Sequence, residues 1–252
     1  MKNNKTALIT GATSGIGRAT AHELAKHGIH LILCGRRQER LDTIQQALSK
    51  QTNVHTLNFD VRDKDAVFNA IDSLPESFKQ IDILINNAGN AHGLDPIETG
   101  NLDDWDAMLD INVKGLLYVS KAVIPIMTAR NSGHIINIGS SAGKEVYPKG
   151  NVYCGSKHAV LAITEGMRID LNPYGIKVGA INPGLVETEF SQVRFKGDAI
   201  ADNVYTGYKA LQPEDIADII YFAITRPAHV NIADVLVFCT AQASSTIVKK
   251  EI

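Results

Sequence analysis

A tyrosine and a lysine lie four residues apart in the second half of the chain, at Tyr153 and Lys157. On a helix, positions i and i+4 share one face, so the phenol and the ammonium group can lie over a common site. A phenol titrates near pH ~10 and is a poor acid or base at neutrality, but a neighbouring ammonium group favours the phenolate and lowers its pKa. The spacing therefore predicts a proton-transfer pair, unless it is one of the many Tyr–Lys pairs that helices contain by chance.

A glycine-rich segment, residues 10–17 (TGATSGIG), follows the first apolar run of the chain. Between a strand and a helix, glycines allow a tight turn and let the backbone approach a pyrophosphate, which then rests on the helix N-terminus. The same glycines could form an ordinary turn, but their place at a strand-to-helix junction favours dinucleotide binding. The predicted contacts come from Gly11, Thr13, Ser14, Gly15, Ile16 and Gly17.

Two arginines, Arg36 and Arg37, follow the second apolar run. An acidic residue at this position would bind the ribose 2′-hydroxyl group of NAD. A guanidinium instead suits a 2′-phosphate, because it forms bidentate contacts with phosphate oxygens. The pair predicts NADP, with Arg36 the stronger candidate because it comes first after the strand; a solvated pair that caps the turn is the alternative.

Short apolar runs and longer amphipathic segments alternate along the chain and must position these residues. Short runs bounded by Gly, Asn or Asp are typical of buried parallel strands, so the alternation predicts an α/β fold. We expect a doubly wound parallel sheet of about seven strands with helices on both faces. The predicted strands are 7–9, 31–33, 54–59, 81–85, 134–138, 177–181 and 233–237, and the predicted helices are 16–27, 39–48, 64–74, 105–129, 152–172 and 213–223.

One region, residues 187–211, breaks this alternation. It is polar, contains glycine and is long enough to form a lid or a substrate loop. The sequence has no internal repeat and no linker, so residues 1–252 are predicted to form a single domain that includes this loop.

Overall composition excludes several classes of protein. The 252 residues carry a net charge of −2, which leaves no basic excess for binding nucleic acid. The three cysteines, Cys34, Cys154 and Cys239, are far apart and predict neither a disulfide framework nor a zinc site. No apolar run approaches the ~20 residues that span a bilayer, so we expect a soluble, cytoplasmic protein without a membrane partner.

Taken together, the motifs resemble those of the short-chain dehydrogenase/reductase family. The glycine segment, residues 86–89 (NNAG), Asn112, Ser140, the Tyr-x-x-x-Lys spacing and the pair Pro183–Gly184 occur in the family's order and cover almost the whole chain. The resemblance implies a single-domain Rossmann fold and an NADP-dependent oxidoreductase that acts on CH–OH groups by hydride transfer. Such chemistry needs an oriented substrate and one mobile proton, and it requires no metal.

The resemblance also implies roles for four residues. Tyr153 matches the general acid/base, and Lys157 matches its pKa-lowering partner, which also holds the nicotinamide ribose. Ser140 matches the residue that hydrogen-bonds the substrate carbonyl or hydroxyl group. Asn112 matches the anchor of a proton-relay water, although it could also be a polar residue that faces a gap between helices.

Further residues match the family's cofactor contacts. Asp60 matches the position at the adenine amino group, residues 86–89 line the adenosine side, and Thr188 matches the residue near the nicotinamide carboxamide. Besides the glycine segment, the predicted cofactor contacts are Arg36, Arg37, Asp60, Val61, Asn87, Ala88, Gly89, Tyr153, Lys157, Pro183, Gly184, Val186 and Thr188.

Four segments, residues 135–143, 184–191, 193–198 and 227–234, more narrowly resemble the NADP-dependent 3-hydroxy acid dehydrogenases, also described as serine or L-allo-threonine dehydrogenases. Substrates of this kind carry a carboxylate, so the pocket should contain a cation. Arg194 and Lys196 are the candidates, unless both lie on a solvated loop face. The predicted substrate contacts are Ser140, Tyr153 and Arg194.

Two other functions stay open at this point. One is reduction of a 3-oxoacyl thioester or another ketone on the same fold, and the other is a dinucleotide sensor without catalysis. The resemblance implies a homotetramer. His134 and His158 are expected at a strand edge and on a helix surface, respectively.

Overall fold

The computed structural model describes residues 5–197 and 203–250. In this part of the chain, seven parallel strands form one sheet in the order β3-β2-β1-β4-β5-β6-β7. The strands are β1 Thr6–Thr10, β2 His30–Gly35, β3 Val54–Asn58, β4 Ile83–Asn86, β5 His134–Ile138, β6 Lys177–Pro183 and β7 Asp234–Val237. Each predicted strand is present, with ends within two residues of the prediction.

Both faces of the sheet are covered because its inner strands are apolar on both sides. In β1, Ala7 and Ile9 pack into one core layer and Leu8 packs into the other, and all three are fully buried. Helices supply the remainder of each layer: α1, α2 and α8 lie on the side of Ile9, and α3, α5 and α6 lie on the side of Leu8. The predicted doubly wound α/β fold is confirmed. The helices are α1 Gly15–Lys26, α2 Gln38–Leu48, α3 Lys64–Asp72, α4 Leu102–Leu109, α5 Leu116–Thr128, α6 Asn151–Leu171, α7 Phe190–Arg194 and α8 Pro213–Ile224.

The predicted helix 105–129 differs from the structure at its centre. A π-helical turn, Asp110–Gly115, separates α4 from α5, and it contains Asn112. Single π-helical turns inside α-helices are rare and occur often at functional sites.

The strand order creates a cleft at the carboxyl ends of the central strands. The chain passes from β3, at the edge of the sheet, to β4, which pairs with β1 on the side away from β2. The connections therefore diverge at the carboxyl ends of β1 and β4, where open α/β sheets bind their ligands.

The region predicted as an irregular loop, 187–211, contains a short helix, α7. The two ends of this region are held together by backbone hydrogen bonds. Glu187 donates its N–H to the Leu211 carbonyl oxygen, and Leu211 donates its N–H to the Leu185 carbonyl oxygen. Residues 198–202 of the predicted loop, including Asp198, lie outside the described residues. Among the described helices, none is long and apolar enough to cross a membrane.

His134, expected at a strand edge, is the first residue of a strand, but it is buried within the sheet. It begins β5, which pairs with β4 on one side and β6 on the other, and its side chain is 4% exposed. Burial, followed by the charges of Lys177 and Lys5, lowers the pKa of His134 to about 3. His158 is exposed on α6, as expected.

Candidate active site

A cavity of about 560 Å³ opens at the carboxyl edge of the sheet, a volume within the usual range for small-molecule sites. It extends from the glycine segment, past the ends of β4 and β5, to α7. All but two of the residues named as predicted catalytic, cofactor or substrate contacts line it: Gly11, Thr13, Ser14, Gly15, Ile16, Arg36, Arg37, Asp60, Val61, Asn87, Ala88, Gly89, Ser140, Tyr153, Lys157, Pro183, Gly184, Val186, Thr188 and Arg194.

Gly17 and Asn112 are the two that do not line the cavity. Gly17 lies behind the turn, where a Cβ atom would collide with the carbonyl oxygen of Gly11. Asn112 is 2% exposed. Its amide donates to the Asn90 carbonyl oxygen at 2.8 Å and to Ser156 Oγ at 3.0 Å, and its Oδ1 accepts from the Asn90 N–H at 2.9 Å. Asn112 thus fixes the backbone that follows the NNAG motif.

The start of α1 is prepared for an anion. Gly15, the first residue of the helix, has φ +49°, a backbone conformation that side chains disfavour. The Ser14 side chain makes no capping bond, and the first turn of α1 carries no acidic residue. The N–H groups of this turn are therefore available to a phosphate, and a dinucleotide fits this edge of the cavity.

The two arginines after β2 have different partners. Arg37 donates from Nη2 to Thr13 Oγ1 at 3.1 Å and to Ser14 Oγ at 3.0 Å, which places its guanidinium beside the glycine segment. Arg36 instead reaches Asp60, with Nη1 3.4 Å from Oδ2. The geometry favours Arg37, rather than Arg36, as the arginine closest to the phosphate-binding turn.

Asp60, predicted to contact the adenine, lines the cavity next to Arg36. Burial raises the pKa of this carboxyl group, but hydrogen bonds from Arg62 and the charges of Arg36 and Arg62 outweigh burial and hold the pKa below its usual range. The neighbouring Val61 is in the position that a side chain on Gly115 would occupy, so Val61 packs directly on the π-helical turn.

The NNAG motif is divided between the cavity and the core. Asn87 Nδ2 donates to the carbonyl oxygens of Thr10 and Gly11, which ties the end of β4 to the glycine segment. Asn86, expected on the adenosine side, instead donates into the core, to Ser120 and Asn137, both at 2.9 Å. The reason is the alternation along β4, which turns Asn86 away from the cavity.

Tyr153 and Lys157 lie on the first turns of α6, and both are buried although both line the cavity. Lys157 Nζ donates to the Ile138 carbonyl oxygen at the end of β5, at 3.0 Å. Ser140 follows that strand, and its Oγ accepts from the Ala142 N–H at 3.1 Å, which opens the turn Ser141–Gly143. Three of the four predicted catalytic groups therefore meet at the carboxyl end of β5.

The pKa of Tyr153 is raised in the structure and not lowered as expected. Burial raises the pKa of Tyr153, repulsion from a Tyr147 phenolate adds to this, and a hydrogen bond with Ser140 and the positive charge of Arg194 oppose it. Burial also lowers the pKa of Lys157 to about 8. Both groups are desolvated and the Lys157 ammonium is directed to a backbone carbonyl, so the structure does not show the predicted lowering of the Tyr153 pKa.

Arg194, the last residue of α7, enters the same cavity. Its Nε donates to the Gly93 carbonyl oxygen at 3.1 Å and its Nη1 to the Tyr147 hydroxyl at 2.9 Å. Its Nη2 has no partner among the described residues. The other predicted cation, Lys196, forms an exposed ion pair with Asp104 at 2.9 Å and does not line the cavity.

Sequence reasoning missed several residues that line the cavity: Tyr147, Phe190, Glu189 and Gln242. Gln242 accepts from the Leu185 N–H at 2.9 Å and so supports the segment that follows Pro183 and Gly184. These residues lie in loops or at helix ends, where no periodic pattern marks them, and only the fold brings them together.

A family model for the short chain dehydrogenases matches residues 5–199 of this chain. The chain belongs to the short-chain dehydrogenase family. The resemblance inferred from its motifs is confirmed, as is the expectation of an enzyme of this family.

Similar short-chain dehydrogenases support the narrower resemblance as well. An NADP-dependent 3-hydroxy acid dehydrogenase of Schizosaccharomyces pombe is 45% identical, over 99% of this chain and 98% of its own. Sulfoacetaldehyde reductase 2 of Chromohalobacter salexigens is 46% identical, over 94% of this chain and 95% of its own. Among solved structures, the closed form of a serine dehydrogenase complexed with NADP+ is 41% identical, with a TM-score of 0.92, 98% of this chain covered and 100% of that chain.

Proposed function

We propose that this protein is an NADP-dependent dehydrogenase that interconverts a small 3-hydroxy acid and its 3-oxo form. The observation that carries the proposal is the position of Arg194: its guanidinium carbon lies 5.5 Å from the centroid of the Tyr153 ring, in one cavity with Ser140. A fixed positive charge beside the proton-transfer tyrosine suits a substrate that has an acid group close to its hydroxyl carbon.

NADP(H) is the proposed cofactor, and when bound it supplies the hydride chemistry. The turn at Gly15 and the free N–H groups of α1 would hold its pyrophosphate. Arg37, together with Arg36, would bind the 2′-phosphate, and Asp60 and Val61 would flank the adenine. The similar proteins named above as NADP-dependent, or complexed with NADP+, support this choice.

Tyr153 is proposed to move the proton. In reduction its hydroxyl group donates to the carbonyl oxygen, and in oxidation its phenolate accepts from the hydroxyl group. Ser140 hydrogen-bonds the same oxygen and stabilises the charge that develops there. Lys157 holds the nicotinamide ribose and supplies positive charge when it is protonated, while Asn112 orders the backbone next to it.

Arg194 is proposed to bind the substrate acid. Gly93 and Tyr147 already occupy its Nε and Nη1 atoms, so the guanidinium is held in one orientation before substrate arrives. The Nη2 atom then donates to the substrate oxyanion. Preorganisation of this kind lowers the entropy that binding would otherwise cost.

A sulfonate substrate is the second candidate. Nη2 of Arg194 can donate to any small oxyanion, and the Chromohalobacter relative is named a sulfoacetaldehyde reductase. Reduction of an acyl thioester, left open by the sequence, would make no use of the arginine. A dinucleotide sensor would need neither the arginine nor the three catalytic groups.

A substrate panel tests the proposal. The oxidation rate of L-serine, L-allo-threonine, 3-hydroxypropionate, 2-hydroxyethanesulfonate and 1-propanol is measured with NADP+ and with NAD+. We expect kcat/KM to be highest for a hydroxy acid with NADP+ and lowest for the uncharged propanol. Equal rates for propanol and the acids, or a clear preference for an acyl thioester in the reverse direction, would contradict the proposal.

We also propose that the protein is a cytoplasmic homotetramer. Large apolar side chains are exposed in two groups, one on helices α4 to α6 and the other on α8 and β7, which could serve two pairwise interfaces. The first group is Leu102, Leu109, Leu117 and Ile169, and the second is Phe222 and Leu236. The three cysteines are free and buried, which suits a reducing compartment. Light scattering coupled to gel filtration measures the mass, and a monomer would contradict the assembly.

A further inference from the structure

A single carboxylate, that of Glu189, reaches across the mouth of the cavity. Arg40 Nη1 donates to both of its oxygens, at 2.7 and 3.0 Å, and Arg37 Nη1 donates to Oε2 at 3.1 Å. The two arginines lie at the start of α2, about 150 residues earlier in the chain, whereas Glu189 directly precedes α7. Hydrogen bonds and charge from both arginines outweigh burial and lower the pKa of Glu189, so the carboxylate stays charged at neutral pH.

This contact joins the two ends of the candidate active site. On one side, the second amino group of Arg37 binds Thr13 and Ser14 of the glycine segment. On the other side, α7 ends at Arg194, whose guanidinium is the proposed acid-binding group. The Glu189 carboxylate therefore connects the phosphate end of the site, at the glycine segment, with its acid end, at Arg194.

The far end of α7 is fixed separately. The backbones of Gly93 and Arg194 are joined by an N–H···O bond of 2.9 Å, and Lys196 pairs with Asp104. With this end held on the loop before α4, Glu189 is the contact that holds the near end towards α2. Phe190, through the Tyr153 ring, and Ser191, through the Tyr205 hydroxyl group, also hold this end on the site, so loss of the Glu189 contacts would release it only from α2.

Exposed ion pairs usually contribute little, about 0–1 kcal/mol each. The Glu189 contact differs in that two guanidinium groups share one carboxylate through three hydrogen bonds. Arg40 is informative here because Glu189 is its only side-chain partner among the described residues. Any effect of Arg40 on the acid end of the site must then pass through Glu189.

We propose that Glu189 is a positioning residue that holds α7 closed over the cofactor cleft and so couples binding at the phosphate end to acid binding by Arg194. The inference rests on the proposed function for the identity of the two ligands. A closed α7 retains the cofactor and keeps the Arg194 guanidinium over Tyr153. With the bridge broken, both ligands bind more weakly although Arg37 and Arg194, the groups proposed to bind them, are unchanged.

A double-mutant cycle on Glu189→Gln and Arg40→Gln tests the coupling. We expect each single variant to raise the NADPH dissociation constant, measured by fluorescence without substrate, and the KM for the hydroxy acid by roughly three- to tenfold, with a smaller change in kcat. The double variant should bind NADPH and the hydroxy acid no more weakly than the weaker-binding of the two single variants. Glu39→Gln, on the exposed face of α2, makes the same change in charge without breaking the bridge and should stay within about twofold of the wild type.

A ligand-free measurement separates this proposal from the proposed function. Hydrogen exchange of the α7 amides should be faster in both single variants than in the wild type and in Glu39→Gln. If the wild type oxidises no hydroxy acid with NADP+, the proposed function fails, and the exchange result still decides whether Glu189 holds α7. Variants that behave like Glu39→Gln, or single-variant effects that multiply in the double variant, would overturn the coupling.

Discussion

The Arg194 guanidinium packs over two tyrosine rings at once, with its central carbon 5.5 Å from the centroids of both Tyr147 and Tyr153. Tyr147 also accepts a hydrogen bond from Arg194, so one side chain contacts the cation through both its ring and its hydroxyl group. The positive charge is thereby placed next to the phenol that is proposed to transfer the proton. An acid group bound by Arg194 would have its hydroxyl carbon within reach of Tyr153.

Replacing Arg194 by alanine should mainly weaken substrate binding. A hydrogen bond to a charged group contributes about 1.5–3 kcal/mol, so KM for a 3-hydroxy acid should rise by roughly 10- to 100-fold. The rate on uncharged 1-propanol should change little, because this substrate has no acid group that Arg194 could bind. Steady-state kinetics on both substrates with NADP+ measures the difference.

Lys196→Gln is the matched control for Arg194→Ala. Lys196 lies two residues further along and also loses a positive charge, but it pairs with Asp104 outside the cavity. Its KM for the hydroxy acid should stay close to that of the wild type. A rise as large as that of Arg194→Ala would assign the effect to the charge of the loop and not to a contact with substrate.

Tyr153→Phe should strongly reduce turnover and leave cofactor binding intact. A positioned general acid or base contributes typically 10²–10⁴-fold to the rate, so kcat should fall by about this factor while NADPH binding is retained. In the wild type, burial raises the pKa of Tyr153, so the oxidation rate should increase as the pH rises towards alkaline values. A Tyr153→Phe variant with full turnover would support the sensor function instead.

The two arginines after β2 should differ in their effect on cofactor choice. Arg37 contacts the glycine segment, whereas Arg36 contacts Asp60. Loss of one charged contact to a phosphate corresponds to roughly tenfold or more in affinity, so Arg37→Gln should weaken NADPH binding by about this factor and Arg36→Gln by less. NADH binding should change little in either variant. Fluorescence titration gives the dissociation constants of NADPH and NADH for both variants. A larger loss of NADPH affinity in Arg36→Gln would restore the order expected from sequence.

Local sequence was sufficient to predict the strands, the glycine segment and the motif residues, because each is encoded by nearby residues. The contacts that depend on the fold were not predictable. Tyr147 and Gln242 carry no pattern of their own, and the pKa of Tyr153 depends on how deeply α6 is buried. Asn86 was misplaced for the same reason, since the face of a strand that lines a cavity is set by the neighbouring elements.

His134 gives a prediction for stability because it is buried in the sheet as a neutral side chain. Neither of its ring nitrogens has a partner among the described residues, and burial lowers its pKa to about 3. An unfolded histidine titrates near ~6.5, so below that pH the unfolded chain takes up a proton that the folded protein does not. Stability must then fall as the pH drops from about 6.5 towards 3, by at most about 1.4 kcal/mol per unit for this residue.

His134→Leu removes the imidazole that takes up this proton and fills a similar volume with an apolar side chain. We expect its free energy of unfolding in urea to decrease less than that of the wild type between pH 7 and pH 5, while the exposed His158→Gln follows the wild type. Wild-type and His134→Leu curves that stay parallel over this range would mean that His134 gains a proton in the folded protein as readily as in the unfolded chain. Since a charged imidazole cannot remain unpaired in an apolar layer, that result would require β5 to open at its first residue.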